Sequence, residues 1–259
     1  MLILLPPSEG KTSPRRGRPL QLDGLSFPGL TGARRTVLDA LVNLCHDDAD
    51  KAAAVLGLGP TQADQVDVDA GLLHAPAARA DRVYSGVLYD ALGLASLDAS
   101  ARRRASRWLA VQSALFGLLR PADRIPAYRL SGGVDVPGPG RLSSYWREPL
   151  DAVVPQVVGD GLLVDLRSTT YAAFWRPGPG LAARTATIRV LQERGGRRTV
   201  VSHFNKATKG RLVRDLLLDG GSPATPEALA ERIARRGWRV EPQRAGRNGQ
   251  RLDVVVSDV

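Results

Sequence analysis

The sequence predicts one mixed α/β domain of the α+β kind, built on a central, mostly buried sheet with a helix-hairpin-helix element near its front. Three observations carry this. Short apolar runs of strand length recur from residue 2 to residue 257, and stretches with helical periodicity lie between them. No repeat, linker or low-complexity break divides residues 1–259, which are 43% hydrophobic and long enough to bury a sizeable core.

Met1-Leu2-Ile3-Leu4-Leu5 reads as a buried first strand. It lacks a basic leader and stops at Pro6-Pro7, too short for a signal peptide or a membrane span. Pro6 to Thr12 is then a turn-rich polar loop. Thr31 to about Val66 is helical, and the hairpin occupies about 47–67. There Asp47 or Asp48 caps a short helix, Gly57 ends it by accepting positive φ, and Pro60 opens the next. With no Cβ on Gly57 or Gly59, a phosphate can approach their N–H groups, aided by the following helix N-terminus at Thr61. Leu58 points inward and pins the turn. A glycine C-cap followed by a proline-started helix satisfies the same residues without any ligand.

Val83 to Leu88 reads as a short strand or turn, Ala99 to Ala110 as a helix with Arg102, Arg103, Arg104 and Arg107 on its wet side, and Val111 to Leu119 as a buried strand. Ser131 to Arg141 is a glycine- and proline-rich loop. Tyr145 to Val158 is helical. Strands are expected at 162–166, 185–192 and 199–202, with the first and third continuous enough in apolar residues for central positions. Helices over Lys209–Leu218 and Pro226–Arg236 and a strand over Arg251–Ser257 close the chain.

A net charge of +10 favours polyanionic partners. Yet 32 of the 36 basic residues are arginine, a skew that also follows from a GC-rich genome. The four lysines, Lys11, Lys51, Lys206 and Lys209, stand out against it. The single cysteine, Cys45, allows no internal disulfide and fits a cytoplasmic location. His46, His74 and His203 lie too far apart for metal-ligand spacing. Nothing calls for a metal or a cofactor, and an iron-buffering role lacks clustered ligands.

Four polar segments fall at predicted strand ends: Ser8–Thr12, Arg120–Arg129, Asp165–Tyr171 and Ser202–Gly210. A sheet edge gathers such loops into one cleft, here offering Ser8, Lys11, Arg120, Arg129, Ser168, Tyr171 and Lys209 to an anion. Lys206 and Lys209 share a face at the start of a helix, where the dipole favours anions instead, so a bound anion or a carboxylate partner is expected there unless both are simply solvated. Arg120 and Arg129 either fork onto phosphate or pair with Asp123 and Asp165. Lys206 and Asp165 are either a structural ion pair or the nucleophile and carboxylate of an enzyme acting on an extruded base.

The ordered motifs Met1-Leu2-Ile3-Leu4 with Ser8, Lys11 and Thr12, Val83-Tyr84-Ser85-Gly86, Gly117-Leu118-Leu119-Arg120-Pro121, Tyr128-Arg129-Leu130, Tyr145-Trp146, Leu166 with Ser168 and Tyr171, and Ser202 with Lys206-Ala207 and Gly210 span nearly the whole chain. In these the chain resembles the YaaA family of peroxide stress proteins, also called DUF328 or UPF0246. The resemblance implies an unusual single-domain fold with a helix-hairpin-helix, a basic cleft, binding to double-stranded or distorted DNA, and a part in limiting oxidative DNA damage under hydrogen peroxide. Pro-Pro-Ser-Glu-Gly-Lys-Thr replaces the shorter Ser-Pro-Ala-Lys-Thr of other branches, and Asp165 and Arg167 replace uncharged residues, which points to a divergent, actinobacterial-type branch. The expectation is a cytoplasmic binder of double-stranded or damaged DNA that grips backbone phosphate without reading bases and has no membrane contact. The alternative is a nucleic-acid- or nucleotide-processing enzyme of base-excision glycosylase type. The oligomeric state is left open.

Overall fold

The computed structural model describes residues 1–200 and 202–257. Its centre is an eight-stranded mixed sheet: β1 (Leu2–Leu5), β2 (Leu109–Ser113), β3 (Gly117–Leu119), β4 (Leu163–Asp165), β5 (Thr185–Arg194), β6 (Arg197–Thr199), β7 (Arg239–Pro242) and β8 (Gln250–Ser257). The order is β7-β8-β5-β4-β1-β2-β3, with β6 hairpinned onto β5. Five strands, β8, β5, β4, β1 and β2, run parallel, while β7, β3 and β6 are antiparallel additions. Every residue of β1, β2 and β4 is buried, as parallel strands covered on both faces require.

The loops that follow β1 and β4 lie side by side because of this topology. From β1 the chain travels to β2 on one side, and from β4 it travels to β5 on the other, although β1 and β4 are neighbours with Leu4 opposite Asp165. Their carboxyl ends therefore flank a crevice from which both connections diverge, the place where open α/β sheets take ligands.

Helices pack around the sheet. Thr31–Asp47 (α1) buries Val37, Leu38, Leu41 and Leu44, and Ala49–Leu56 (α2) follows after Asp48, whose side chain accepts from Lys51 N as an N-cap. Asp64–Ala70 (α3) lies against α1, with a 3-10 turn, Pro60–Gln62, leading into it. Val87–Leu92 (α4) packs against the long helix Ser202–Asp219 (α6), and Ala99–Trp108 (α5) precedes β2.

Several expectations shift. Val83–Leu88 is no strand: Ala80–Val83 closes a helical turn, Gly86 takes φ 98°, and α4 begins. The run Val111–Leu119 divides into β2 and β3, because Gly117 turns the chain at φ 68° where any Cβ would meet the indole of Trp146. No central strand covers Thr199–Ser202. Thr199 ends the exposed edge strand β6, α6 begins at Ser202, and Val201 lies outside the described residues. β7 was not anticipated, since its four residues are exposed or half-buried and show no apolar face.

A Cβ on Gly210 would overlap the Leu88 carbonyl and crowd Leu92 N, so α6 and α4 touch backbone to backbone. Gly210→Ala should lower stability by about 2–3 kcal/mol in urea titration, the ordinary cost of forcing atoms into a packed interface.

Candidate functional site

The crevice is built outward from the loop after β1. Tyr84 bridges to Lys11 through the backbone, Thr12 N donates to Val83 O, and the Ser8 hydroxyl donates to Ser85 O. Lys11 Nζ donates to Ser8 O at 2.9 Å and sits 4.2 Å from the centroid of the Tyr128 ring, a desolvated cation on an aromatic face. Burial lowers its pKa to about 8, with Glu9 and Asp69 opposing the shift and Arg129 adding to it. Behind it lies a chain of hydroxyls, Tyr84 to Tyr128 at 2.8 Å and Tyr128 to Ser113 at 2.7 Å, ending where Ser113 Oγ accepts from Leu115 N and Phe116 N. Burial pushes the Tyr84 hydroxyl up to about 12 and raises Tyr128 and Tyr171 further, so all three stay neutral and serve as hydrogen-bonding groups.

The turn between α2 and α3 reaches the same place. Gly57 adopts the left-handed conformation, and Leu58 N donates back to Ala53 O while Gly57 N donates to Ala54 O. The Gly57 N–H is thereby spent inside its own helix cap. At Gly59 a Cβ would point into open space, and the N–H is held only by Gln62 Oε1 at 3.4 Å, a long bond that a better acceptor replaces. Leu58 packs against the core.

From the far end of α3, Asp69 accepts a hydrogen bond from Arg129 N at 2.8 Å. Asp69 is completely buried, its second oxygen lacks a partner, and burial lifts its pKa to about 7 against the hydrogen bond from Arg129 N and the charges of Lys11 and Arg129. This contact sets Arg129 beside the turn. An open groove of about 590 Å³ is lined by Val55, Leu56 and Gly57 on one side and by Arg129, Ser131 and Val134 on the other. The Arg129 guanidinium meets Glu9 at 2.9 Å, one residue from Ser8 and two from Lys11.

The structure thus sets Ser8 and Lys11 on the loop whose Glu9 meets Arg129, lays the Tyr171 ring against Gly132, and borders the Arg129 groove with Gly57, leaving Leu58, Gly59 and Thr61 on the adjoining turn. It separates the others. Asp165 does not pair with Lys206: its oxygens take Nε and an Nη of Arg167 at 2.9 and 2.8 Å. Burial opposes ionisation of Asp165, but the Arg167 charge and hydrogen bonds outweigh it and hold the carboxyl below the usual range. Lys206 is exposed. α6 begins at Ser202, which carries both lysines beyond the first turn, and there Lys206 faces outward while Lys209 turns in to donate to Leu166 O at 2.9 Å. Burial lowers Lys209 to about 8 against the pull of Asp165. Ser168 takes the N-cap place of the short helix Thr169–Ala172 without a side-chain cap bond.

Arg120 is at the opposite edge of the sheet. β3 runs antiparallel to β2, so its end returns to the amino edge, where Arg120 donates to Arg107 O and Leu109 O and stacks on Phe27. Asp123 accepts from Ser26 and from Arg120 N, so neither Arg120 nor Arg129 makes the carboxylate pairs with Asp123 or Asp165. Glu9, Asp69, Tyr84, Tyr128 and Arg167 are not among the site candidates of the sequence, although all but Asp69 stand in the motifs or departures it singles out. Asp69 has a signal of its own: it shares the buried face of α3 with Val66, an acid at a core position.

The model of the family described as "Peroxide stress protein YaaA" matches residues 1–244. The chain belongs to the YaaA family. A UPF0246 protein of Streptomyces coelicolor is 52% identical over the whole of both chains, and one of Corynebacterium efficiens is 40% identical over 93% of this chain and 95% of its own. A UPF0246 protein of Ruegeria sp. is 33% identical over 53% of this chain and 57% of its own. The YaaA family assignment and the actinobacterial relatives agree with the motif resemblance. Among the described residues, no helix is long and apolar enough to cross a membrane.

Two measurements follow. Folded Asp69 keeps its proton up to about pH 7, whereas the unfolded carboxyl loses it near 3.8, so its contribution to stability falls as pH rises through that window. Asp69→Asn should abolish this term: the wild type should lose on the order of 2–4 kcal/mol relative to the variant between about pH 4 and pH 7, read by urea titration at each pH. Removing Arg167 strands Asp165, and Arg167→Ala should cost about 3–5 kcal/mol, whereas Lys206→Ala should change stability by less than about 0.5 kcal/mol. A large loss in the lysine variant would show that it, and not Arg167, compensates the buried carboxylate.

Proposed function

We propose that this member of the YaaA family binds the sugar-phosphate backbone of double-stranded DNA, damaged duplexes included, in the setting of peroxide stress that its family's description gives. The α2–turn–α3 segment acts as a helix-hairpin-helix. One observation carries the reading: one open groove is lined by Gly57 of the glycine turn and by Arg129. On the turn that continues from Gly57, the Gly59 N–H is held by one long bond and has open space beside it, and this donor together with the Arg129 cation suits a phosphodiester, to which the net charge of +10 adds attraction at longer range. Such contacts position a protein on a duplex without reading its sequence.

Gly59 separates binding from folding. Its φ of −78° suits any residue and its Cβ direction is open, so Gly59→Glu should leave the thermal melt unchanged. It would put a carboxylate where phosphate should lie, and should weaken duplex binding by about tenfold or more in a gel-shift titration, some 1.4 kcal/mol. Plotting log K against log salt should give about −0.9 per phosphate contact for the wild type and a shallower line for the variant. Equal affinity of a folded variant would remove the hairpin from the interface.

A further inference from the structure

We propose that Glu9 is a resident carboxylate occupying the phosphate position of Arg129, so that the groove accepts a backbone phosphate by exchanging it for Glu9. The inference rests on the backbone-binding reading above and adds a residue that sets affinity at that same site.

Arg129 is prepared for an anion yet incompletely used. Its main chain is anchored by Asp69 through the 2.8 Å bond from Arg129 N, the residue lines the groove with its side chain partly exposed, and its Nε is buried without a partner. Its ion pair is the 2.9 Å contact from one terminal nitrogen to one oxygen of Glu9, short of the two parallel bonds that a guanidinium can give a phosphate. The Glu9 side chain is 53% exposed, and exposed pairs of this kind are worth only about 0.2–1 kcal/mol.

Glu9 can leave without disturbing the fold. Ser8 is fixed by its hydroxyl to Ser85 O, and Lys11 binds Ser8 O, so the loop backbone is held on both sides and only the side chain has to swing. While it stays, Glu9 neutralises Arg129 at the rim of the loop that Lys11 braces from within. A phosphate that displaces it inherits the Arg129 cation.

The test is a gel-shift titration of a duplex with the full chain, comparing wild type, Glu9→Gln, Arg129→Gln and the double variant. Asp135→Asn serves as a control, because Asp135 lines the same groove but faces Arg141. Glu9→Gln should tighten binding by up to about fivefold, the equivalent of the exposed pair it removes. The gain should vanish in the Arg129→Gln background and should exceed that of Asp135→Asn. Thermal melts of Glu9→Gln and wild type should coincide. An equal gain with and without Arg129 would reduce the effect to net charge and overturn the exchange, as would weaker binding by Glu9→Gln. Absence of duplex binding by the wild type would overturn the backbone reading and this inference together.

Discussion

The hydrogen bond from Arg129 N to Asp69 is the contact on which the groove depends. α3 reaches the crevice through this carboxylate, and the Tyr128–Arg129 segment has no regular secondary structure to place it. Joining the two brings a turn that the chain makes at residues 57–59 to within one groove of a loop seventy residues later. The cost is a fully buried acid with one oxygen unpartnered, tolerable because Lys11 and Arg129 are near and because the group can hold a proton close to neutral pH. Asp69 thus fixes geometry and tunes charge at one point.

The same economy governs the rest of the carboxyl edge. Arg167 clamps the end of β4 by bonding Asp165, Gln112 on β2, and the carbonyls of Tyr171 and Trp175. Lys209 and Lys11 each spend their ammonium on a loop carbonyl, Leu166 O and Ser8 O, on either side of the β1–β4 boundary. Buried cations here stiffen loops by satisfying main-chain oxygens that irregular backbone would otherwise leave bare. The exposed, exchangeable charge is at Glu9, where the edge opens to solvent.

What the sequence disclosed follows physical lines. β1 and β4 are legible because uninterrupted apolar runs have few alternatives, β5 and β8 because β-branched residues recur along them, and the α2–turn–α3 connection because glycine and proline limit backbone choice locally. The β2–β3 turn was hidden, since Ala114-Leu115-Phe116 is apolar throughout and only the Trp146 ring packed on Gly117 marks the reversal. The Ser8–Lys11 loop touches Arg129 through Glu9, a residue that the strand-end argument does not single out. Arg120 was misplaced because its strand runs antiparallel, a fact of pairing and not of composition. The expected pairing of Lys206 with Asp165 rests on a lysine near a helix start needing a carboxylate, whereas the carboxylate is taken by an arginine two residues away in sequence.

The central claim is that the glycine turn and the Arg129 loop form one surface for the DNA backbone. Amide hydrogen exchange of the full chain, with and without a short duplex, addresses it directly. The account predicts that DNA slows exchange together at Leu58–Thr61 and at Arg129–Val134, with little change along the exposed arginines of α5. Protection confined to α5, or to one side of the groove alone, would contradict it.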